Sequence, residues 1–136
     1  MKILIVSAVE SELSALRLET ILVSHEFYPL GIGFLEAAIN LYHKLNSETF
    51  DLVIFTGTIG AYPNSGLSIG DVVTTFDHHL VGVASHLNQA YFPSLTENYL
   101  HIENKLETSL KSVPIATVLE ITSNDDLALM VEKKQH

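Results

Sequence analysis

Residues 51–73 read DLVIFTGTIGAYPNSGLSIGDVV, and this stretch decides the fold class. It opens with an apolar run typical of a strand that is covered on both faces. It closes with DVV, which begins another apolar segment, and glycines, a proline, an asparagine and hydroxyls lie between. These small polar residues either only reverse the chain or bring backbone N–H groups close to a ligand. Both readings stay open from the residues alone.

Strand and helix patterns alternate on both sides of this stretch. Apolar runs at 2–7, 20–24, 26–33, 71–76, 80–84 and 114–122 predict strands, and Pro29 suits an edge or a strand end. Helices are expected over 9–19, 34–46, 97–112 and 125–134. For 34–46 the apolar face is predicted to be Phe34, Ala38, Leu41, Tyr42 and Leu45, and Ser123 with Asp126 fits a capping box before the last helix. Residues 84–96 are expected to form a loop. The pattern predicts an α/β fold with a mostly parallel central sheet and helices on both faces.

Composition excludes several classes of protein. The chain has 136 residues, enough for one domain with a real core, and 47% of them are hydrophobic. Seven basic against sixteen acidic residues give a net charge of −9, which disfavours nucleic acids and anionic membranes as partners. No apolar run is long enough for a membrane span, and no signal peptide is evident. The absence of cysteine excludes disulfides and fits a cytoplasmic location.

The sequence gives little support for a metal site, a dinucleotide cofactor site or a covalent nucleophile. Gly31-Ile32-Gly33 would need glycine at position 36 for a dinucleotide fingerprint, but Glu36 stands there. His78 and His79 are adjacent, so in a strand they point to opposite faces and chelate one ion poorly. The chain lacks G-x-S-x-G as well as cysteine, so no covalent nucleophile is indicated. No metal and no cofactor are expected.

Two acidic residues are the more informative candidates. Glu10 and Glu12 follow the first predicted strand, and open α/β sheets bind ligands beyond the carboxyl ends of their strands. A carboxylate there could act as a general base on water, although either residue could simply be a solvated first helical turn. The TGTIGA segment leaves a central strand at the same edge. The residues alone indicate a small polar ligand that could undergo hydrolysis.

Three segments resemble the purine nucleoside phosphorylase and nucleosidase superfamily: MKILIVSAVESE (1–12), GIGFLEAA (31–38) and the stretch 51–73. They are most similar to the hydrolase branch, namely methylthioadenosine/S-adenosylhomocysteine nucleosidases and, for AYPNSGLSIGDVV, the futalosine hydrolases of menaquinone biosynthesis. The resemblance implies hydrolysis of the N-glycosidic bond of a purine nucleoside by a homodimer. It also implies that 1–136 is one nucleoside phosphorylase-like domain lacking its C-terminal part.

The resemblance carries roles to individual positions. Glu12 matches the glutamate that activates water. The residues that match the substrate-binding segments are Ser7, Ala8, Thr58, Ile59, Gly60, Thr122 and Ser123. A loop around Tyr91, Phe92 and Pro93 matches, more weakly, one that completes a neighbour's pocket. Arg17, the one arginine, does not match the phosphate-binding arginines of the phosphorylases, which favours water as the acceptor.

The family's ribose clamp and its leaving-group acid lie in a segment beyond residue 136. The resemblance therefore leaves three functions open: a purine nucleoside hydrolase that could be inactive as this chain, a catalytically inactive purine-binding or dimerisation module, and, third, a phosphate-dependent phosphorylase.

Overall fold

The computed structural model describes residues 1–14, 16–18, 24–87, 89–91, 99–103, 108–118 and 123–133. The chain divides into two units, Met1–Gly60 and Ala61–His136, which are described separately below. Within the described ranges, no helix has the length and apolar character needed to cross a membrane. The assignment of the whole chain to one domain stays a prediction.

The first unit is built on a three-stranded parallel sheet. Its strands are β1 (Lys2–Ser7), β2 (Ser24–Pro29) and β3 (Leu52–Phe55), in the order β2-β1-β3. In the register of the sheet, Ile5 of β1 lies beside Phe27 on one side and Ile54 on the other. Pro29 is the last residue of β2, an outer strand, where its missing N–H costs no ladder bond. The prediction of a strand end at Pro29 is confirmed.

Helices cover both faces of this sheet, as predicted. Helix α1 (Glu10–Ser14) continues into a 3₁₀ turn (Leu16–Leu18), and helix α2 (Phe34–Ser47) connects β2 to β3. Alternate residues of β1 face opposite sides, so they supply two separate core clusters. Leu13 of α1 packs with Ile3 and Ile5 on one face. The other face combines Leu4, Val6 and Leu30 with partly buried Tyr28, Ala37, Leu41 and Phe50.

The face that α2 presents to the sheet differs from the prediction. Leu41 packs on the sheet as expected, but Phe34, Tyr42 and Leu45 are 62%, 66% and 43% exposed. The residues facing inward are Ala37, Asn40, Leu41 and Lys44. Asn40 Nδ2 donates to the Leu30 carbonyl at 2.7 Å, and Lys44 Nζ pairs with Glu26 of β2 at 2.5 Å. The helix is rotated because these polar ends find partners on β2 while their stems cover the sheet.

The second unit contains two smaller sheets. Strands β4 (Val73–Thr74) and β7 (Lys111–Ser112) pair in parallel. Strand β5 (Asp77–Val81) lies between β6 (Tyr99–His101), which is antiparallel to it, and β8 (Ile115–Val118), which is parallel. Two helices accompany them, α3 (Val83–His86) and α4 (Asp125–Lys133). The prediction of an α/β chain with mostly parallel strands is confirmed, and the described strands form three sheets.

The helix predicted over 97–112 is wrong where the chain is described. Tyr99–His101 is strand β6 and Lys111–Ser112 is strand β7, whereas 104–107 lie outside the described residues. Asp77 on β5 accepts hydrogen bonds from Tyr99 Oη at 2.7 Å and from His101 Nδ1 at 2.8 Å. These bonds, that of His101 above all, lower the pKa of Asp77. Pairing with β5 thus overrides the helical spacing of the apolar residues.

Smaller differences concern the neighbouring predictions. The strand expected over 71–76 is only the two residues of β4, and the one expected over 80–84 is divided between the end of β5 and the start of α3. Gly82 stands at this division in an extended conformation, with φ −102° and ψ 129°. The predicted strand 20–24 lies outside the described residues except for Ser24, which begins β2.

The N-cap of α4 is Asn124 rather than the predicted Ser123. Asn124 Oδ1 accepts hydrogen bonds from the N–H groups of Asp126 at 2.8 Å and Leu127 at 3.2 Å. These are two of the four N–H groups that a helix leaves without an internal partner. Asparagine is among the best N-cap residues for this reason.

Asn124→Ala is therefore expected to destabilise the second unit by about 1 kcal/mol, within the range of roughly 0.5–2 kcal/mol for lost caps. Urea unfolding monitored by circular dichroism measures the change. The matched variant Ser123→Ala should change the free energy of unfolding by only a few tenths of that amount. Equal losses for both variants would contradict the assignment of the cap.

Candidate functional site

The candidate site lies at the carboxyl ends of β1 and β3, within the first unit. Beyond β1 the chain turns through Ala8 and Val9 into α1, which carries Glu12. Beyond β3 the pairing extends one step, because the N–H of Thr56 donates to the Val6 carbonyl at 2.8 Å. The two strands are neighbours, so their exits place Glu12 and Thr58, 46 positions apart in sequence, side by side. This is the sheet edge at which the sequence predicted a ligand.

Glu12 is held by Thr58 through one of its two carboxylate oxygens. Oε1 accepts a hydrogen bond from the Thr58 N–H and another from the Thr58 hydroxyl, both at 2.9 Å. The bond from the backbone N–H is the main cause that lowers the pKa of Glu12, against the opposing effect of burial. N–H groups of Ala8 and Val9 lower the pKa further. Glu12 is therefore ionised at neutral pH in a fixed orientation.

The second oxygen of Glu12 has the features of a base. Oε2 is buried and has no hydrogen-bond partner among the described residues. A buried carboxylate oxygen without a donor is costly, so it normally implies a water or ligand group at that position. The two oxygens thus divide two tasks, since Oε1 fixes the side chain and Oε2 is left to accept a proton.

Gly57 makes this arrangement possible, and the sequence did not indicate its role. A Cβ at position 57 would stand 3.3 Å from Glu12 Oε1 and 3.5 Å from Oε2, so the carboxylate lies directly against the glycine backbone. A side chain here would press on Oε1, whereas its distance from Oε2 would be an ordinary contact. The signal available in the sequence was a glycine between two threonines at the end of a buried strand.

The predicted residues Ser7 and Ala8 form the base of the turn that carries Glu12. Ser7 is fully buried, and its hydroxyl donates to the Val9 carbonyl at 2.8 Å. The Ser7 carbonyl accepts from the Leu30 N–H at 2.8 Å, and the Ala8 carbonyl accepts from the Gly31 N–H at 3.0 Å. Their polar groups therefore shape the turn.

Ile59 and Gly60 lie on the open side of the site. Ile59 is 49% exposed, and a Cβ at Gly60 would meet no atom within 4 Å. Ile59 supplies an apolar surface of the kind on which a flat base can rest, and Gly60 leaves space beside it. Contact of either residue with substrate stays a prediction.

The Gly31-Ile32-Gly33 turn is occupied by a side chain of the protein itself. Both glycines have positive φ, 95° and 86°. A Cβ on Gly31 would lie 2.3 Å from the Glu36 Cδ, and Glu36 Oε2 accepts a hydrogen bond from the Ile32 N–H at 3.1 Å. The glycines accommodate packing of the first turn of α2. The contacts of this turn therefore favour packing over a ligand.

Glu10 and Arg17 are paired with each other, which separates Glu10 from Glu12. The Arg17 guanidinium lies 3.1 Å from Glu10 Oε1 and 5.3 Å from the centre of the Phe27 ring. Both side chains are about half exposed, so this pair is worth little to stability. Of the two acidic candidates, only Glu12 contacts Thr58 at the exit of β3, and the one arginine is engaged with Glu10.

The later part of the glycine-rich stretch is anchored in the second unit. Glu132 of α4 is only 5% exposed, and its two oxygens accept from the N–H and the Nδ2 of Asn64, both at 2.8 Å. Burial, with a smaller effect of Glu132, raises the pKa of Tyr62. This clamp holds the AYPNSG turn to a helix 68 residues later, and no local pattern in the sequence indicated it.

The remaining predicted residues belong to the second unit. Ser123 lies beside the N-cap of α4 in the second unit, and Thr122 is outside the described residues. Tyr91 is 87% exposed, whereas Phe92 and Pro93 are also outside them. His79 contacts the Tyr99 ring with centroids 5.0 Å apart. In the described ranges no group of three or more His, Cys, Asp or Glu could hold a metal ion.

Thr58→Val tests the hold on Glu12, because valine keeps the shape of threonine and loses the hydroxyl donor. The pKa of Glu12 should rise relative to wild type, and carbon-detected NMR titration of the carboxyl group measures it without any substrate. Thr58→Ser restores the donor and should restore the wild-type pKa of Glu12. An unchanged titration in Thr58→Val would contradict the role of the hydroxyl.

The fold is similar to that of two solved nucleosidases. One is the 5′-methylthioadenosine/S-adenosylhomocysteine nucleosidase from S. pneumoniae with the transition-state inhibitor MT-ImmA. The TM-score is 0.71 at 21% identity, over 98% of this chain and 71% of that one. The other is the S-adenosylhomocysteine nucleosidase from Streptococcus pyogenes in complex with 5-methylthiotubericidin. The TM-score is again 0.71, at 22% identity, over 98% of this chain and 69% of that one.

No protein-family model matches the sequence, and the comparison with curated proteins finds no match. At these identities the structural likeness establishes the fold. The nucleoside phosphorylase-like fold predicted from the three sequence segments is therefore confirmed.

Proposed function

We propose that the protein hydrolyses the N-glycosidic bond of a purine nucleoside, with Glu12 as the general base. The observation that carries this proposal is that the two oxygens of the Glu12 carboxylate have different surroundings. Thr58 holds Oε1 with two hydrogen bonds, and Oε2 is buried with no partner in the described part of the chain. The nucleosidase fold and the three sequence segments support the nature of the substrate.

In the proposed reaction a water molecule lies beside Glu12 Oε2. As the bond between the ribose anomeric carbon and the purine nitrogen breaks, its electron pair leaves with the purine. Charge then develops on the sugar as an oxocarbenium-like centre. The water oxygen bonds to that carbon, and one of its protons passes to Oε2. Thr58 keeps Glu12 oriented and ionised until the proton arrives, which is positioning rather than direct contact with the reacting atoms.

Residues around Glu12 would bind the nucleoside. We assign Thr58, Ile59 and Gly60 to the wall of the nucleoside pocket, and Ser7 and Ala8 to its floor. The proposed base-binding segment is Thr122 and Ser123. The assignment of the wall is supported by the position of all three residues shortly after the end of β3. The assignment of Thr122 and Ser123 rests on the sequence resemblance alone.

The substrate is proposed to be futalosine, methylthioadenosine or S-adenosylhomocysteine. The two structural neighbours are named for the latter two compounds, whereas the AYPNSGLSIGDVV segment resembles futalosine hydrolases, which would place the protein in menaquinone biosynthesis. We further propose a cytoplasmic homodimer that needs no cofactor. The absence of cysteine fits that compartment.

A catalytically inactive purine-binding or dimerisation module is the second candidate. It stays open because a likeness at 21% and 22% identity establishes the fold and does not test turnover. The third candidate, a phosphorylase, lacks support because the one arginine is paired with Glu10.

One assay distinguishes the three. The chain is incubated with each nucleoside, with and without inorganic phosphate, and released hypoxanthine or adenine is measured by chromatography. Release without phosphate is expected, and dependence on phosphate would indicate the phosphorylase. Calorimetry is run in parallel on wild type and Glu12→Gln. Binding without release, equal in both proteins, would favour the inactive module. Neither binding nor release would refute both proposals.

A further inference from the structure

Glu132 is a buried carboxylate that the proposed mechanism does not use. Only 5% of it is exposed, and it lies near the end of α4 beside Val131, which is 1% exposed. One residue occupies both of its oxygens, because Oε1 accepts from the Asn64 N–H and Oε2 from Asn64 Nδ2, each at 2.8 Å. A buried charge is costly, and an apolar side chain of similar size would pack the helix without that cost. What the carboxylate adds is therefore its hold on Asn64.

Asn64 is held in the same way as Thr58. At each of the two positions a single carboxylate accepts both the backbone N–H and a side-chain donor of one residue. The carboxylate is that of Glu12 in the first unit and that of Glu132 in the second. Two bonds to one residue, one of them from its backbone, fix both the position and the orientation of the chain there. Thr58 and Asn64 are therefore two fixed points in the glycine-rich stretch.

The residues between these fixed points have few contacts of their own. Ile59 is 49% exposed, and a Cβ at Gly60 would meet no atom within 4 Å. Among the described backbone groups, residues 59–63 take part in one hydrogen bond, in which the Ser65 N–H donates to the Tyr62 carbonyl at 3.1 Å and closes a local turn. The order of this segment therefore depends on how its two ends are held.

Loss of the bonds to Glu132 would lengthen the part of the chain that has no long-range hydrogen bond. The described hydrogen bonds within 65–71 are local, and the next residue paired with a distant strand is Val73 of β4. With Asn64 held, the segment without a long-range bond is 59–63, whereas with Asn64 released it would extend over 59–72. Each further residue that a ligand must order adds to the entropy cost of binding.

We propose that Glu132 is a positioning residue for the wall of the nucleoside pocket. By fixing Asn64 it limits the conformations of the segment that contains Ile59 and Gly60, so that less order has to be imposed when a nucleoside binds. The inference rests on the proposed function, because the role of Ile59 and Gly60 as a wall belongs to it. Glu132 acts through Asn64 and takes no part in the chemical step.

The two ends of the segment have different tasks, which predicts a kinetic signature. Thr58 orients Glu12, so the bonds at that end affect the chemical step. The bonds between Asn64 and Glu132 affect only the order of the wall. Breaking one of them should raise KM about tenfold, the cost of ordering roughly one more backbone residue on binding, and leave kcat nearly unchanged. A role in stability alone would lower the apparent kcat through loss of folded protein, with KM unchanged.

Steady-state kinetics of purine release tests this signature on a cycle of variants. In Glu132→Gln an amide faces the Asn64 amide, and in Asn64→Asp two carboxylates face each other, so each variant loses a bond. The double variant exchanges donor and acceptor and restores the pair. Both single variants should show the higher KM, and the double variant should return KM to within about twofold of wild type.

The matched control is Asp126→Asn, at an exposed position of the same helix, which should leave KM unchanged. Because Asn64 is itself exposed, Asn64→Asp tests the bond without disturbing the packing of α4. Circular dichroism verifies that each variant is folded. For a chain that binds nucleoside without releasing purine, the Kd from calorimetry takes the place of KM.

NMR relaxation provides a readout that needs no substrate. The order parameters of the Ile59 and Gly60 N–H groups should fall in both single variants and recover in the double variant. Unchanged order parameters, or an unchanged KM in both single variants, would overturn the inference while leaving the proposed function intact. So would a fall in kcat without a rise in KM. A wild-type chain that neither binds nor cleaves the nucleosides would refute the proposed function itself, and the role of Glu132 in binding with it.

Discussion

Glu12→Gln should reduce purine release by about 10²- to 10⁴-fold, the range that general bases contribute. Glutamine keeps the size of the side chain, and its amide oxygen can still accept the two hydrogen bonds from Thr58. It cannot accept a proton from water at the position of Oε2. The loss should therefore fall on kcat, with nucleoside binding nearly unchanged in calorimetry. Single-turnover measurement of base release checks the kcat effect directly.

The matched variant is Glu10→Gln, which removes a carboxylate two residues away whose partner is Arg17. It should retain activity within about twofold, since exposed pairs of this kind contribute about 0–1 kcal/mol. If both variants lost the same activity, the effect would come from the first turn of α1 in general and would not support Glu12 as the base.

The pH dependence follows the same assignment. The Thr58 N–H lowers the pKa of Glu12, so the base stays ionised below the ordinary glutamate value of 4.5. The acid limb of kcat/KM should lie below that pH. The associated stability is present at neutral pH and is lost as pH falls through the lowered pKa.

Leu13→Ala should lower the free energy of unfolding by about 2–5 kcal/mol. Leu13 is fully buried and is the side chain by which the five-residue helix α1 packs on Ile3 and Ile5. Its removal leaves a cavity under a helix too short to persist without packing. Because Glu12 precedes it, the variant should also lose activity under conditions where it remains folded. Urea unfolding measures the first effect and the purine assay the second.

Leu110→Ala provides the comparison, because Leu110 is 44% exposed. It should change the free energy of unfolding by less than about 0.5 kcal/mol. If Leu13→Ala were equally mild, α1 would not depend on this packing contact.

Local patterns predicted the first unit better than the second. The strands β1 and β3 were predicted from continuous apolar runs, and the helix α2 from its period of 3.6 residues. The strand expected over 26–33 was found as Ser24–Pro29, ending at its proline. The helix predicted over 97–112 was wrong because Asp77, some twenty residues earlier, binds Tyr99 and His101, which therefore form a strand.

The candidate site was predicted in outline and not in its contacts. The position of Glu12 after a buried strand predicted that it lies at the carboxyl edge of the sheet, and the structure places it there beside Thr58. The role of Thr58 as a double donor, and of Gly57 as the space for the carboxylate, depends on how β1 and β3 align. The Asn64 and Glu132 clamp likewise joins residues 68 positions apart. Contacts between residues so far apart in the chain cannot be read from a local sequence pattern.

The apolar stripe of α2 shows a different kind of discrepancy. The predicted face correctly identified the apolar residues, but the sheet contacts only one side of that stripe, because Asn40 and Lys44 bind β2. A helical pattern reports which residues of a helix are apolar. It does not report which neighbour covers them.

The bond between Thr58 and Glu12 also bears on how the protein folds. Helix α1 is local and can form early, but it cannot lower the pKa of Glu12 by itself, since the main donor arrives with β3 after a 46-residue loop has closed. Parallel pairings of this kind are slow, because loop entropy is lost before the contacts form. Glu12 therefore acquires its lowered pKa only at the end of sheet assembly. A partly folded chain would carry Glu12 in its helix and yet hold only an ordinary carboxyl group.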